Sequence, residues 1–469
     1  MTFQDETRVV DEIVARGREA QREFESRGSQ QRFDRAATAA GWAIMEPSRN
    51  RMLAELAVET TGFGNAADKI IKNHRKTLGL LRDIAGVQTF GVVKEIPELG
   101  MTEIARPVGL IGSVVPSTNP AATPANNIIN SLKCGNAIVI SPSPKGSACC
   151  KALIEFVHAE FDRFGENRDL VQMIPSPGSK AKTQRLLETA DLAIVTGSQD
   201  NVRRAYSSGT PAIGVGVGNV PAIVDETADL AAATARIARS KCFDNATSCS
   251  SENALLVVDD VYDDFCAALR NEGGAIVPRT QEQEIVDRIW PDGSLNPGVM
   301  ARDADVVIRE LGLGGGIPAS TRFVVVETEG IGPGFRLSGE KLSRIAALYR
   351  CRDFSHALEL TGRILDYQGR GHSVSLHSGR DDRTYVLAKE LPTCRVIVNQ
   401  AHCFATGGSF ENGLPFSLSM GCGSWGRNSI DDNLHWRHFM QRTRIVRPIE
   451  AREPALEDVF GPYWAEFGK

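Results

Sequence analysis

The chain has 469 residues, of which 42% are hydrophobic and 24% charged, with a formal net charge of −5. That length accommodates two or three domains with large cores, and the acidic balance excludes a protein whose main partner is a phosphate backbone, which would call for a basic face. The longest apolar runs, such as Ala137–Ile140 and Ala212–Val217, fall far short of the roughly 20 residues a bilayer requires, so no membrane partner is expected.

The N-terminus opens with Asp5, Glu6, Asp11 and Glu12, unlike a basic-then-apolar leader, so a cytoplasmic location is expected. The ten cysteines include no CxxC pair, and none of the eight histidines stands at zinc-site spacing from them. Reduced thiols and no metal are the expectation.

In chain order, Glu6 to Ala85 places apolar residues at three- and four-residue spacing, with Val9, Ile13, Ala20 and Phe24, then Ala36, Ala40 and Ile44. This predicts three or four amphipathic helices. They break at Pro47-Ser48-Arg49-Asn50, where Ser48 is placed to cap the next helix. Glu95 to Pro107, with two prolines and a glycine, fits a surface hairpin. From Val108 onward, short β-branched runs alternate with helical stretches: Gly109–Val115, Pro124–Lys133, Ala137–Ser141, Gly146–Arg163, Val171–Pro175, Ala181–Leu187, Leu192–Thr196 and Asn201–Ser207. Such alternation implies a doubly wound parallel sheet, which Ala222–Val224 is expected to close. A second α/β block starts with the helix Leu230–Cys242 and runs through the strands Ala254–Val258, Arg322–Val326, Arg344–Tyr349, Ser373–Leu376 and Val396–Asn399. Helices are expected near Asp263–Asn271 and Gln281–Ile289, and Arg437 to Arg447 reads as a solvated surface strand or helix.

Gly214-Val-Gly216-Val-Gly218 is not a dinucleotide fingerprint, because Asn219 follows Gly218 and no helix-forming segment comes next. A glycine-rich crossing that lets backbone pass close to a ligand or another strand fits better. The stronger signal is Phe243-Asp-Asn-Ala-Thr-Ser-Cys249-Ser-Ser-Glu-Asn253, which sets one cysteine among small polar residues between a helix and an apolar strand. Small neighbours leave the thiol approachable, and backbone N–H groups on such a turn stabilise a thiolate or an oxyanion. The alternative for any single cysteine is a packed thiol.

This segment resembles the nucleophile motif of the CoA-acylating branch of the aldehyde dehydrogenase superfamily, and the resemblance extends in order along nearly the whole chain. Val115-Pro-Ser-Thr-Asn119-Pro is similar to the stretch whose asparagine amide faces the developing oxyanion. Ile140-Ser141-Pro142-Ser-Pro-Lys145 resembles the strand end beneath the adenosine ribose. Thr196-Gly197-Ser198 resembles the turn near the pyrophosphate, Glu340-Lys-Leu-Ser343 the loop whose glutamate holds the nicotinamide ribose, and Gly371-His372 a pair found near the thiol. Met420-Gly-Cys-Gly-Ser-Trp-Gly426-Arg-Asn428-Ser is a further C-terminal match. The resemblance implies an α/β fold of aldehyde dehydrogenase type, with two doubly wound parallel-sheet domains and a small oligomerisation arm. Residues 1–229 would bind the cofactor, with the hairpin 95–107 in the arm. Residues 230–425 would carry the thiol and 426–469 an oligomerisation strand, around Thr443–Pro448, joining a homodimer or homotetramer.

One departure selects the branch. Hydrolytic members carry Glu-Leu-Gly-Gly-Lys, whose glutamate activates water; aligned through Pro221, Val215 stands at that carboxylate and Asn219 at the lysine. An aliphatic side chain cannot take a proton, so the acyl enzyme is expected to survive until the coenzyme A thiol arrives. The resemblance then implies that Cys249 attacks as thiolate, with the oxyanion held by the Asn119 amide and the Cys249 N–H. His372 is either a base for the incoming thiols or a hydrogen-bonded loop histidine, and Gly216 borders the cofactor. With Ser141 and Pro144 at the adenosine end and Lys145 nearby, NADP is expected alongside NAD. Leu414 to Ser429, with Trp425, most resembles the acylating type that oxidises sulfoacetaldehyde; acetaldehyde or propionaldehyde is the alternative. A sulfonate would need cations or hydroxyls, with Arg427 and Lys341 as candidates. The chain ends at Lys469 without an appended alcohol dehydrogenase half, so a monofunctional enzyme is expected. The rivals are a hydrolytic dehydrogenase, an acyl-phosphate reductase and a scaffold without activity.

Overall fold

The computed structural model describes residues 3–469; Met1 and Thr2, counted in the first expected domain, lie outside the described residues. Four helices lead, as the spacing implies: α1 (Phe3–Ser26), α2 (Gln30–Met45), α3 (Pro47–Thr61) and α4 (Ala66–Ile84). On α2 the small residues Ala36, Ala37, Ala40, Gly41 and Ala43 are all buried. They let its axis lie close against α5 (Ala122–Lys133), a helix buried along its whole length. The cap of α3 differs from expectation. Glu46, one residue ahead of the proline, accepts from the backbone N–H groups of Ser48 and Arg49, and the Ser48 hydroxyl donates to the same carboxylate. A carboxylate satisfies two helix-end donors and favours the positive end of the dipole, so Ser48 is left inside the first turn.

The remaining strands and the helices that frame the site follow in order. They are β1 (Gly91–Ile96), β2 (Met101–Pro107), β3 (Leu110–Val115), β4 (Ala137–Pro142), α6 (Ser147–Asp162), β5 (Val171–Met173), α7 (Lys180–Thr189), β6 (Leu192–Val195), α8 (Gln199–Tyr206) and β7 (Ala212–Gly214). After these come β8 (Val220–Val224), α9 (Leu230–Cys242), β9 (Glu252–Val258), β10 (Gly274–Val277), β11 (Phe323–Glu327), β12 (Ile345–Cys351), β13 (Val374–His377), β14 (Val396–Val398) and β15 (Met440–Val446). Among the described residues they form three sheets. One is parallel with order β5-β4-β3-β6-β7, one is parallel with order β10-β11-β12-β9-β8-β13-β14, and the third is β1-β2-β15. The central strands β3, β8 and β9 are buried at every position, as strands covered on both faces must be.

β8 does not close the first sheet. It pairs with β9 and β13, so the chain changes sheets between Gly214 and Val220. No helix intervenes there; the crossing is the glycine-rich run itself. The hairpin β1–β2 is extended by β15, antiparallel, with Met440 opposite Pro107 and Val446 opposite Met101. Of the Arg437–Arg447 stretch, Arg437 to Phe439 complete a 3-10 turn whose Phe439 is buried, and Met440–Val446 is a largely exposed strand. No helix among the described residues is long and apolar enough to cross a membrane.

Asn136, fully buried, joins this arm to the five-stranded unit. Its side-chain oxygen accepts from the N–H groups of Val108 (2.7 Å) and Gly109 (2.9 Å), and its amide donates to the Phe439 carbonyl (2.7 Å) just before β15. Asn136→Leu strands three backbone groups, the buried Phe439 carbonyl and the half-buried N–H groups of Val108 and Gly109. It is expected to lower the unfolding free energy by about 3 kcal/mol, measured by urea denaturation.

Candidate active site

Four loops of the five-stranded sheet meet at its carboxyl edge, where open α/β sheets present their ligand crevice. They are Val114–Asn119 after β3, Ser141–Pro144 after β4, Thr196–Asn201 after β6 and Val215–Gly218 after β7; all line one cavity of about 960 Å³. The same cavity reaches Cys249 and α4, which contributes Lys72, Arg75 and Lys76. One space thus connects the nucleotide-type crevice to the thiol.

The turn that carries Cys249 begins with three consecutive non-glycine residues in the left-handed region: Asp244 (φ 48°), Asn245 (φ 54°) and Ala246 (φ 59°). Each conformation costs on the order of 1 kcal/mol and persists only where its surroundings fix it. Asp244, wholly buried, pairs with Lys69 (3.1 Å) and with Lys72, and accepts from the Thr247 hydroxyl (2.7 Å) and the Asn65 N–H (3.1 Å). Against the desolvation of burial, the charges of Lys72 and Lys69 hold its carboxyl below the ordinary value. Asn245 is fixed from the other side by the Arg344 guanidinium (2.6 and 3.0 Å) and by Asp303 (2.9 Å).

The crossing Gly214–Gly218 passes directly over this turn. A Cβ on Gly218 would lie 2.1 Å from the Cys249 carbonyl oxygen, and one on Gly216 would lie 2.7 Å from the Cys422 sulfur. Gly218 is glycine because its backbone touches the Cys249 turn, and Gly216 because it lies against Cys422.

Burial, then the charge of Glu340, pushes the Cys249 thiol up to about 12, which disfavours a standing thiolate in the free protein. His372 lies against it, with Nε2 3.4 Å from Sγ. Burial and the nearby Arg395 push this imidazole down to about 3, leaving it neutral. Its Nδ1 meets the Ser373 hydroxyl at 2.7 Å, and that hydroxyl meets His402 Nε2 at 2.9 Å. Arg395, also buried, donates to the His372 carbonyl (2.9 Å). Ser373, His402 and Arg395 were not read from the sequence, which offers no spacing to mark them.

Val215 lines the cavity and is 9% exposed. Asn219, at the lysine position of the hydrolytic motif, is a buried tie that donates to the carbonyls of Ser338 (2.8 Å) and Gln368 (3.1 Å). The carboxylates lining the cavity are Asp200 and Glu340. Asp200 pairs with Arg204 on α8. Burial pushes Glu340 up to about 8, against the opposing charges of Lys241 and Lys341, so near neutrality it is a protonated acid. Its Oε1 has no partner.

The other expected residues divide. Ser141, Pro142, Thr196, Gly197, Ser198, Gly216 and Asn119 line the cavity. Ser198 caps α8, its hydroxyl accepting from the Asn201 N–H at 3.4 Å. Lys145 does not line it: the side chain is exposed and its ammonium sits 5.4 Å above the Phe63 ring, while Lys180 and Thr183 take part in its place. Of the two sulfonate candidates, Lys341 is buried with its ammonium on the carbonyls of Leu337 and Gly339, and Arg427 is exposed outside the cavity. Of the cations that line it, Lys180 and Arg204 belong to α7 and α8 of the five-stranded unit, and Lys72, Arg75 and Lys76 to α4. The signal of the α4 cations was present as lysines 69, 72 and 76 on its inward face, where apolar residues would ordinarily stand.

A crevice at strand carboxyl ends, a capped helix start at Ser198 and an unpartnered buried carboxyl at Glu340 fit a dinucleotide, whose ribose hydroxyls would satisfy that orphan oxygen.

The aldehyde dehydrogenase family model matches residues 3–284. The chain is 53% identical to a sulfoacetaldehyde dehydrogenase (acylating) of Cupriavidus necator, over 97% of this chain and 92% of that protein. It is 36% identical to a protein of the same name from Bilophila wadsworthia, over 94% of this chain and 96% of the other. Among solved structures it resembles an acetylating aldehyde dehydrogenase from Geobacillus thermoglucosidasius, with a TM-score of 0.91 at 31% identity, covering 97% of this chain and 99% of that one.

Two outcomes follow from this geometry. Gly218→Ala pushes the nucleophile turn aside and is expected to reduce turnover by about 100-fold or more, with folding unchanged by circular dichroism. With the thiol raised to about 12, iodoacetamide labelling of Cys249 in the free protein should climb with pH and show no plateau up to about pH 10. A plateau near neutrality would mean a resting thiolate.

Proposed function

The chain belongs to the aldehyde dehydrogenase family, and from that premise we propose that it oxidises sulfoacetaldehyde to its coenzyme A thioester, with Cys249 as nucleophile and NADP or NAD as cofactor. The five-stranded unit is the cofactor-binding domain and the seven-stranded unit the thiol domain. Ser141, Pro142, Thr196, Gly197, Ser198, Gly216 and Glu340 hold the nicotinamide dinucleotide, which supplies the hydride acceptor. No carboxylate stands among Ser141, Pro142, Ser143, Pro144, Lys180 and Thr183, so a 2′-phosphate meets no repulsion and NADP is accepted.

His372 Nε2 takes the proton of Cys249 as sulfur attacks the aldehyde carbon, which couples loss of the proton to bond formation in a site where a free thiolate is unfavourable. The Asn119 amide and the Cys249 N–H receive the oxyanion. After oxidation the acyl group rests on Cys249 as a thioester. Val215 offers water no base and Glu340 holds its own proton, so the thioester persists. His372 releases the Cys249 proton to solvent and is then free to accept the proton of the coenzyme A thiol as that sulfur displaces the acyl group, returning Cys249 as the leaving thiol.

The observation that carries the substrate is the row of cations on α4. Arg75 donates to the Phe404 carbonyl (3.0 Å) and lies over the rings of Phe404 and Phe416. The Lys76 ammonium rests on the carbonyls of Gly407 and Ser417. Burial and the charge of Arg75 push Lys76 down to about 7, a state that an arriving sulfonate reverses by stabilising the ammonium. An aldehyde without an anionic end, such as acetaldehyde or propionaldehyde, would leave these charges uncompensated. All ten cysteines are free, which suits a reducing cytoplasm. The exposed edge of β15, with Val446 68% exposed, suits pairing with a second copy in a homodimer or homotetramer.

Steady-state rates with sulfoacetaldehyde and propionaldehyde test the reading. Lys76→Met is expected to raise KM for sulfoacetaldehyde about ten-fold or more while leaving propionaldehyde within about two-fold. In the unmodified enzyme, KM for sulfoacetaldehyde should rise as pH passes upward through about 7, where Lys76 loses its proton. Higher kcat/KM for propionaldehyde, untouched by the substitution, would contradict the substrate.

A further inference from the structure

The inward face of α4 holds one group that the reaction outlined above does not use. The Lys72 ammonium, 6% exposed, has three protons and three acceptors: Asn119 Oδ1 (2.9 Å), Thr247 Oγ1 (2.9 Å) and the Asp244 carboxylate. Asn119 follows β3 of the five-stranded unit, whereas Asp244 and Thr247 lead into the Cys249 turn of the seven-stranded unit. A single ammonium therefore ties together the two halves of the oxyanion site.

We propose that Lys72 is the positioning residue that fixes the orientation of the Asn119 amide toward the oxyanion, an inference that rests on the reading of Asn119 as oxyanion donor and Cys249 as nucleophile. An amide can present either of its ends, and the two are nearly equal in size. An ammonium only donates, so the amide end it touches must be oxygen. The Asn119 NH2 is thereby turned away from Lys72. It makes only a long contact with the Thr118 hydroxyl (3.4 Å), which leaves a proton for the cavity that Asn119 lines. Without Lys72 nothing prevents the carbonyl end from turning inward and presenting a lone pair to developing negative charge.

Lys69 completes the device. It shares Asp244 and donates to the Thr118 carbonyl (3.1 Å), so the backbone just before Asn119 is held by the same carboxylate. Asp244 in turn begins the left-handed run that aims the nucleophile turn.

The test is a double-substitution cycle on kcat/KM. Asn119→Ala alone is expected to lose about 100- to 1,000-fold; full activity there would defeat the underlying reading of Asn119 and not the role of Lys72. Lys72→Met should lose a similar factor in kcat with little change in KM, and adding Asn119→Ala to it should cost no more than about two-fold further. Because Lys72→Met leaves buried Asp244 with one cation partner, Lys69, in place of two, the cycle is repeated in Lys72→Met/Asp244→Asn, which removes the carboxylate charge. Iodoacetamide labelling of Cys249 needs no oxyanion donor and should stay within about two-fold in each variant. Losses that multiply across the cycle, near-normal turnover of Lys72→Met, or loss of labelling would each overturn the assignment.

Discussion

Between Gly214 and Val220 the chain leaves one sheet and enters the other, and it does so in van der Waals contact with the Cys249 turn at Gly218 and with Cys422 at Gly216. This contact is the constraint on which the rest depends. It merges the crevice of the five-stranded sheet and the thiol of the seven-stranded sheet into one cavity, and it permits no side chain at positions 216 and 218. It also places residue 215 in the wall of that cavity, so the identity of one side chain decides whether water has a base. Here it is valine, and the family's hydrolytic step has no proton acceptor at that point.

Burial governs the protonation states around the sulfur, and each is the neutral one: a thiol at Cys249, an imidazole at His372 and a carboxylic acid at Glu340. A low-dielectric pocket disfavours isolated charge, so proton transfer must accompany bond making and cannot precede it. The charges that do persist are those with partners. Asp244 keeps its charge between two lysines, and the Arg75 guanidinium rests on a backbone carbonyl and aromatic faces.

Much of this was legible in the sequence because it is written in local patterns. The alternation of apolar runs with helical stretches located both parallel sheets, and small residues around Cys249 marked the thiol. The glycine run was readable as a close crossing because only glycine tolerates such an approach. The sheet to which β8 belongs was not legible, since a buried strand looks the same in either sheet. Lys69, Lys72 and Asp244 were missed because buried ion clusters are assembled from distant segments, here about 170 residues apart along the chain. The cap of α3 was misplaced by two residues because the proline at N1 was taken together with the serine after it, while the carboxylate ahead of it holds both free N–H groups. Lys145 sits beside the ribose loop in sequence, yet an exposed backbone turn directs it onto Phe63.

On this reading the acyl group waits on Cys249 because Val215 stands where hydrolytic members carry the carboxylate that activates water. Mixing the enzyme with excess sulfoacetaldehyde and the preferred nicotinamide cofactor, without coenzyme A, tests this most directly in a stopped-flow absorbance trace. The account predicts a burst of about one reduced cofactor per Cys249 that then stalls, and resumes at full rate when coenzyme A is added. Continuous reduction without coenzyme A, with free acid as the product, would contradict it.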